Sequence, residues 1–401
     1  MTRLSTEETA ARLGVKRETV YAYVSRGILS RKKAVDGKAS TFDADEVDRL
    51  RRRRLGDHPG RLEAPVTTSI AEVRDGVVAF RGQPITDLAA AGTTYEQVAE
   101  LLWDVPHIRP WVAPRHMTEA LALAMSQLPA EATLIDQLLA GTVMASAHDP
   151  FRNDRSRESA ATSMRNLIAS TAEALPLRKA ATFKPSASIA DRLWPRLTTA
   201  PRSNAHVLDR TLMLMADHGM ASSTIAARIA ASTRAGVHAA VIAGLGALNG
   251  PLHGAASRSV HELLIRAERD GTEAAIAAVL RDNTKVPGIG HFVHRTSDPR
   301  FKIMMRSIGE STLNPARIDI VHRVIDRTAD RINAPHNIDF SLGSLTFVAG
   351  MEPDAGELIF AIARIAGWVA HALEEYDEAP LRFRPIGRYN SLRPRPAPAG
   401  S

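Results

Sequence analysis

The chain has 401 residues, 44% of them hydrophobic, a length for two or three domains and enough apolar side chain for a large buried core. The absence of cysteine excludes disulfides, thiolate metal sites and thiol nucleophiles, and agrees with a reducing compartment. The formal net charge of +7 is uneven: residues 1–64 hold 15 basic and 10 acidic groups and the rest 36 and 34, so the basic character is local.

No basic-then-apolar leader stands at the start. The apolar run from Ala235 to Leu248 spans about 14 residues and contains His238, too short for a membrane span. It predicts a core helix in a soluble, cytoplasmic protein.

At the amino end, Ser5-Thr6-Glu7-Glu8 has the spacing of a capping box and predicts a short helix that Gly14 ends. A second helix is predicted from near Lys16, with Val20 and Val24 on one face and Gly27 as its stop. Two short helices joined through a glycine turn make a helix-turn-helix, whose second helix would enter a DNA major groove. Asp36-Gly37, among Arg31, Lys32, Lys33 and Lys38, is a hairpin signal, and Asp43 to Glu46 caps a third helix. Residues 12–38 carry eight basic and two acidic groups, the excess that phosphate contact requires, with Lys16, Arg17 and Arg26 as candidate DNA contacts. A protein-interaction module with a solvated basic face is the alternative. The stretch resembles the winged DNA-binding domain of the MerR and excisionase type. Leu55 to Gly60 reads as a break, so residues 1–54 are predicted as one domain and 55–64 as a linker.

From residue 66 onward, Ser69-Ile70-Ala71 and Val77 to Phe80 predict short strands leading into Arg81-Gly82-Gln83-Pro84. Helical periodicity then dominates, with one amphipathic helix over 88–102 and others at 191–197, 207–217 and 358–373. The stretch 146–189, polar and arginine-bearing before it turns alanine-rich, gives no clear element. The proline-rich tail 393–401 is predicted to be unstructured.

Two glycine-flanked histidines mark residues 244–300 as the floor of a candidate active site. His253 sits in Gly250-Pro251-Leu252-His253-Gly254, where glycines let the backbone crowd a ligand. His291 follows Val286-Pro287-Gly288-Ile289-Gly290 and precedes His294, Arg295 and Asp298-Pro299-Arg300, a set suited to an anion whose carbonyl must be polarised. Either histidine alone could equally be buried in a turn. Asp339 falls where a helix begins beside Phe340, in apolar company that would raise its affinity for protons and suit a base, although a helix cap is the commoner role. Arg364 lies inside an apolar helix, which calls for a buried anion, either a ligand or a partner carboxylate.

From about residue 66 to 390, roughly four-fifths of the chain, these motifs together resemble the citrate synthase family. Phe80-Arg81-Gly82-Gln83-Pro84-Ile85 looks like its early tyrosine-arginine-glycine motif and Ala216-Asp217-His218 like its first histidine motif. Gly250 to Ala255 and Gly288 to Arg300 look like its second and third, and Asp339, Arg364 and Arg384 fall in the remaining three. The resemblance implies a mainly α fold, with a large helical domain (65–255 and 354–392) and a small one (256–353) that closes over the site, in a homodimer. It implies condensation of acetyl-CoA with oxaloacetate and hydrolysis to citrate and CoA, with two alternatives: 2-methylcitrate synthesis from propionyl-CoA, and a DNA-binding transcriptional regulator whose citrate-synthase-like body senses a ligand. In the condensation Asp339 removes the methyl proton, His253 bonds the enol oxygen, and His291 polarises the ketone and protonates the alkoxide. His218, Arg300 and Arg364 would hold the dicarboxylate, with Arg384 supplied across the dimer. Val286, Pro287, Gly288, Ile289, Gly290 and Arg295 would hold coenzyme A, a substrate rather than a bound cofactor. No metal is implied, nor does any histidine pair have the spacing of helical ligands. The chain departs from the family at Gly219, where glutamate is usual, at Ala221, often asparagine, and at Phe292, often arginine.

Overall fold

The computed structural model describes residues 3–25, 27–33, 40–54, 66–74, 76–184, 186–250, 253–281, 285–291 and 293–383. Arg26, Phe292, Arg384, the Asp36-Gly37 turn, the predicted linker and the predicted tail lie outside them. The chain forms two compact units, Met1–Thr67 and Thr68–Ser401.

In the first unit, strand β1 (Arg3–Ser5) leads directly into α1 (Thr6–Leu13), whose first turn is closed by a reciprocal capping box between Ser5 and Glu8. Gly14, at φ 61°, ends α1 in the left-handed conformation that glycine adopts without a Cβ penalty. After α2 (Arg17–Ser25) come β2 (Lys32–Lys33), β3 (Ser40–Asp43) and α3 (Ala44–Arg54). The three strands form an antiparallel sheet in the order β1-β3-β2, so the wing gains a strand, β1, that the sequence did not announce. Leu13, Val20, Leu29, Phe42 and Val47 are buried together as the unit's core.

The second unit opens with a small antiparallel sheet, β4 (Ala71–Arg74), β5 (Val77–Phe80) and β6 (Gln83–Pro84). The helix predicted over 88–102 is two: α4 (Ile85–Ala90) and α5 (Tyr95–Trp103). Gly92 turns at φ 70°, and Thr94 with Gln97 caps the new helix, a local signal that outweighed the apolar periodicity. There follow α6 (Arg115–Ser126), α7 (Leu134–His148), α8 (Arg157–Ala174), α9 (Ile189–Leu197), α10 (Ala205–Met215), α11 (Ser222–Ser232) and α12 (Val237–Leu248). The chain continues through α13 (Ala256–Asp270), α14 (Thr272–Arg281), α15 (Pro299–Gly309), α16 (Pro315–Ala329), α17 (Ile338–Val348) and α18 (Ala355–Tyr376). The unreadable stretch 146–189 contains α8, whose few large apolar residues, Met164, Leu167 and Ile168, are buried among alanine, serine, threonine and Arg165, so its inward face is not marked by a hydrophobic stripe.

Helix α18 is the central post, packed by α5, α7, α8, α10, α11 and α12. It is long and apolar enough to cross a membrane, yet its apolar stretch is wholly buried, as a helix that is hydrophobic all round must be inside a large core. Two glycines set its distances to neighbours. A Cβ on Gly244 would meet the Trp368 ring at 2.6 Å, and one on Gly367 would meet Asp217 Oδ1 at 2.3 Å. The second approach brings the turn after α10 against the helix that carries Arg364.

Candidate active site

The site is assembled from the turn after α10, His253 with Gly254, residues 286–291 and 293–298, the starts of α15 and α17, and the middle of α18. His218 lies in the first segment, its Nε2 3.0 Å from Nε2 of His294, and the rings of His218, His291 and His294 lie 4.8 to 5.1 Å apart. Burial, then the cations of Arg300 and Arg364, hold the His218 imidazole well below its ordinary range. His291 is lowered to about 4, first by burial and then by Arg300. Its Nδ1 accepts the backbone N–H groups of Val293 at 3.0 Å and His294 at 3.2 Å. The ring proton of the neutral imidazole therefore resides on Nε2, which makes that atom a donor.

Asp339 occupies the first turn of α17, a helix capped by the Asn337 side chain through the N–H groups of Asp339 and Phe340. Because the neighbouring Asn337 does the capping, the Asp339 carboxylate is left for another role. Burial raises its acid to about 6, against the opposing pull of Arg300 and Arg364. The loop bearing Gly288 is tied to the approach of this helix: Gly288 O accepts from Asn337 N at 2.9 Å, Gly290 N donates to Pro335 O at 2.8 Å, and Asn337 Nδ2 donates to Gly290 O at 2.8 Å. Gly288 and Gly290 turn at φ 73° and 85°, and Val286 is buried under the loop. Arg295 is exposed and, with Arg331, Asn333 and Pro335, lines an adjacent cavity of about 620 Å³.

The two arginines are held differently. Arg300 is buried and forks onto Asp298 through Nε at 3.0 Å and Nη2 at 2.8 Å, so its bidentate edge is already occupied and Nη1 is what remains for a ligand. Arg364, also buried, donates Nε to Met215 O at 2.9 Å and stands over the Phe360 ring, and its Nη groups make no hydrogen bond among the described residues, which suits them to an anion. Burial lowers its guanidinium to about 10, with Asp217 opposing. His253 pairs Nε2 with the Ser223 hydroxyl at 2.9 Å, and burial, then Arg364, lowers its imidazole.

The structure thus gathers His218, His253, His291, Asp339, Arg300 and Arg364, and puts Val286, Pro287, Gly288, Ile289 and Gly290 beside them. In the sequence Asp298 and His294 stand out only as neighbours of His291, and Ser223 does not stand out at all. Asp298 holds Arg300 and also accepts Ile338 N at 3.1 Å, so one carboxylate joins the starts of α15 and α17; its place before Pro299 is a helix-start signal. His294 supplies a fourth imidazole, and Ser223 orients His253. Gly219 turns at φ 65° and donates its N–H to Asp217 Oδ2 at 2.7 Å, a backbone in which the glutamate usual in the family would be strained. Ala221 precedes α11 without a side-chain cap. Among the described residues no group of His, Asp or Glu is arranged to hold a metal ion.

A desolvated carboxylate, the donor-poised His291 imidazole and a buried arginine, gathered within a helical body, are the groups suited to removing a weakly acidic proton beside an anionic carbonyl compound. The chain belongs to the citrate synthase family, whose C-terminal domain model matches residues 63–390, and a helix-turn-helix domain model matches residues 3–55. It is 27% identical over 345 residues to a 2-methylcitrate synthase of Mycobacterium tuberculosis, covering 80% of this chain and 87% of that protein. It is also 25% identical over 354 residues to a citrate synthase of Mycolicibacterium smegmatis, covering 81% and 92%. The fold matches citrate synthase from Thermotoga maritima with a TM-score of 0.67 at 24% identity, over 82% of this chain and 94% of that one. It matches the Thermoplasma acidophilum enzyme, solved as a ternary complex with carboxymethyl coenzyme A and oxaloacetate, with a TM-score of 0.68 at 22% identity, over 85% and 97%.

Proposed function

We propose that the chain condenses acetyl-CoA with oxaloacetate and hydrolyses the citryl thioester to citrate and coenzyme A. The observation that carries this reading is that the charge of Arg300 acts on both the Asp339 carboxylate and the His291 imidazole, and that of Arg364 on Asp339, His218 and His253, so these groups share one site. Asp339 takes a methyl proton from the thioester. The Ser223 hydroxyl donates to His253 Nε2, leaving Nδ1–H to bond the enol oxygen. The enol carbon attacks the oxaloacetate ketone, polarised by His291 Nε2–H, and that proton passes to the new alkoxide. Water then releases the thiol. Arg364, His218 and the remaining Nη1 of Arg300 bind the dicarboxylate, and Arg295 with the 286–290 loop binds coenzyme A.

Propionyl-CoA, giving 2-methylcitrate, is the second reading, favoured by the 2-methylcitrate synthases among the relatives. One methylene in an apolar pocket discriminates by about 1–3 kcal/mol, so thiol release with each donor, compared as kcat/KM, decides between them. The same assay carries a pH test. Since the base form of Asp339 does the work and its acid sits at about 6, kcat/KM for the thioester should rise as pH climbs through about 6 and level off above. A flat profile from about pH 5 to 8 would remove Asp339 as the base.

The closing of a small domain (256–353) over a large one is part of the same proposal, as is a homodimer that brings in Arg384. Sedimentation at micromolar concentration should give twice the chain mass, and a monomer would contradict it.

The helix-turn-helix unit supports DNA binding. Lys16 is exposed, whereas Arg17 pairs with Glu7 at 3.0 Å and would have to exchange that carboxylate for phosphate. We propose a regulatory role in which a dimer binds a palindromic site. A mobility shift on DNA upstream of the gene should show specific binding that weakens steeply with salt; no specific binding at low salt would leave the unit to a protein partner.

A further inference from the structure

Behind the oxaloacetate side of the site runs a buried ionic chain that the proposed mechanism does not use. Arg228, fully buried, donates Nε to Glu375 at 3.0 Å, Nη1 to Glu374 at 2.6 Å, and Nη1 also to His371 Nδ1 at 2.9 Å. Since a guanidinium only donates, Nδ1 of His371 must be the acceptor, and the ring proton is forced onto Nε2. That nitrogen stands 3.4 Å from Oδ1 of Asp217, with both side chains wholly buried. The other Asp217 oxygen takes the Gly219 N–H at 2.7 Å. Burial alone would raise the Asp217 acid, but His371 and then Arg364 hold it below its ordinary value, so it is a carboxylate.

This carboxylate sits at a joint. Its own backbone neighbour, Ala216, accepts the Gly367 N–H at 3.0 Å, and Gly367 lies one turn beyond Arg364 on α18. His218 follows Asp217 directly in the chain. One oxygen faces the helix that carries Arg364 and the other fixes the turn that carries His218.

We propose that Asp217 and His371 are positioning residues for the oxaloacetate site, with Arg228 setting the His371 tautomer so that the Asp217 carboxylate locks His218 and Arg364 into one register. The proposal rests on the reading of His218 and Arg364 as dicarboxylate ligands. It separates oxaloacetate handling from thioester handling, because Asp339, His253 and the 286–290 loop belong to other segments. Arg228 and Glu375 supply the rest of the buried chain, and Arg382 closes its far end with a fork onto Glu375 at 2.7 Å through both nitrogens.

The test uses the full chain and three variants at one position, His371→Leu, His371→Gln and His371→Asn. Glutamine can place an N–H near the Nε2 position and so face Asp217, whereas asparagine reaches only the Nδ1 side and Arg228. Oxaloacetate binding is measured by calorimetry, which needs no turnover, beside KM for each substrate. The expected result is a loss of oxaloacetate affinity and a rise in its KM on the order of 10- to 100-fold in His371→Leu and His371→Asn, with the thioester KM unchanged and His371→Gln close to the native protein. Rescue by asparagine and not glutamine, or a parallel rise in both KM values, would overturn the proposal by making His371 a structural partner of Arg228 alone. If His371→Leu does not fold, the Gln and Asn variants decide. Native protein that binds no oxaloacetate would instead defeat the functional reading, a different outcome from native binding with insensitive variants.

Discussion

Replacing Asp339 with asparagine should lower kcat by on the order of 10²- to 10⁴-fold, the range for loss of a positioned general base. The substitution is nearly isosteric, and the cap of α17 is made by Asn337, so the helix start survives it. A desolvated carboxylate is removed, so stability should hold or rise slightly. Oxaloacetate affinity should also hold, because the ligand contacts proposed for it come from His218, Arg300 and Arg364. The checks are thiol release, a thermal melt and oxaloacetate calorimetry on one preparation. A variant that turns over within about threefold of the native rate would take Asp339 out of the mechanism.

The second large effect is expected at Gly288. A Cβ built there would lie 2.7 Å from Phe340 Cβ, 2.8 Å from its Cα and 2.9 Å from its N, and φ is 73°, so Gly288→Ala is strained and meets backbone that cannot swing aside. The loop must move away from α17, where Phe340 follows Asp339. A displacement of about 1 Å between thioester and base is worth on the order of 100-fold in rate, and the thioester KM should rise with it. Gly271→Ala is the control: φ is also positive there, at 88°, but nothing lies within 4 Å of the new Cβ. It should cost stability through backbone strain alone and leave kcat in place. Equal kcat values in the two alanine variants would mean that the Gly288 contact is packing without catalytic consequence.

What could be read from the sequence follows a physical divide. Capping boxes, glycine stops and apolar periodicity are local, so the helix-turn-helix, α17 with Asp339 at its start, and the long apolar helix bearing Arg364 could all be placed. Local signals failed where two of them competed, as at Gly92 and Thr94, which break the helix predicted over 88–102. They failed again in α8, where Met164, Leu167 and Ile168 are buried among alanine, serine, threonine and Arg165 and the apolar stripe is interrupted. The site residues were legible as motifs, but their allegiances were not. Nothing in Asp298-Pro299-Arg300 says that the carboxylate claims the fork of its own neighbour, and nothing in Ala216-Asp217-His218 says that His371, 154 positions on, stands behind it. Those pairings exist only once α15, α17 and α18 are packed.

The central claim is that these groups form a condensing site, and the reaction itself tests it most directly. Purified protein is mixed with oxaloacetate and acetyl-CoA or propionyl-CoA, free thiol is followed continuously, and the product is identified by mass. The prediction is thiol release that requires both substrates and yields citrate or 2-methylcitrate. Release without oxaloacetate, or none with either donor while the protein is folded, would contradict it.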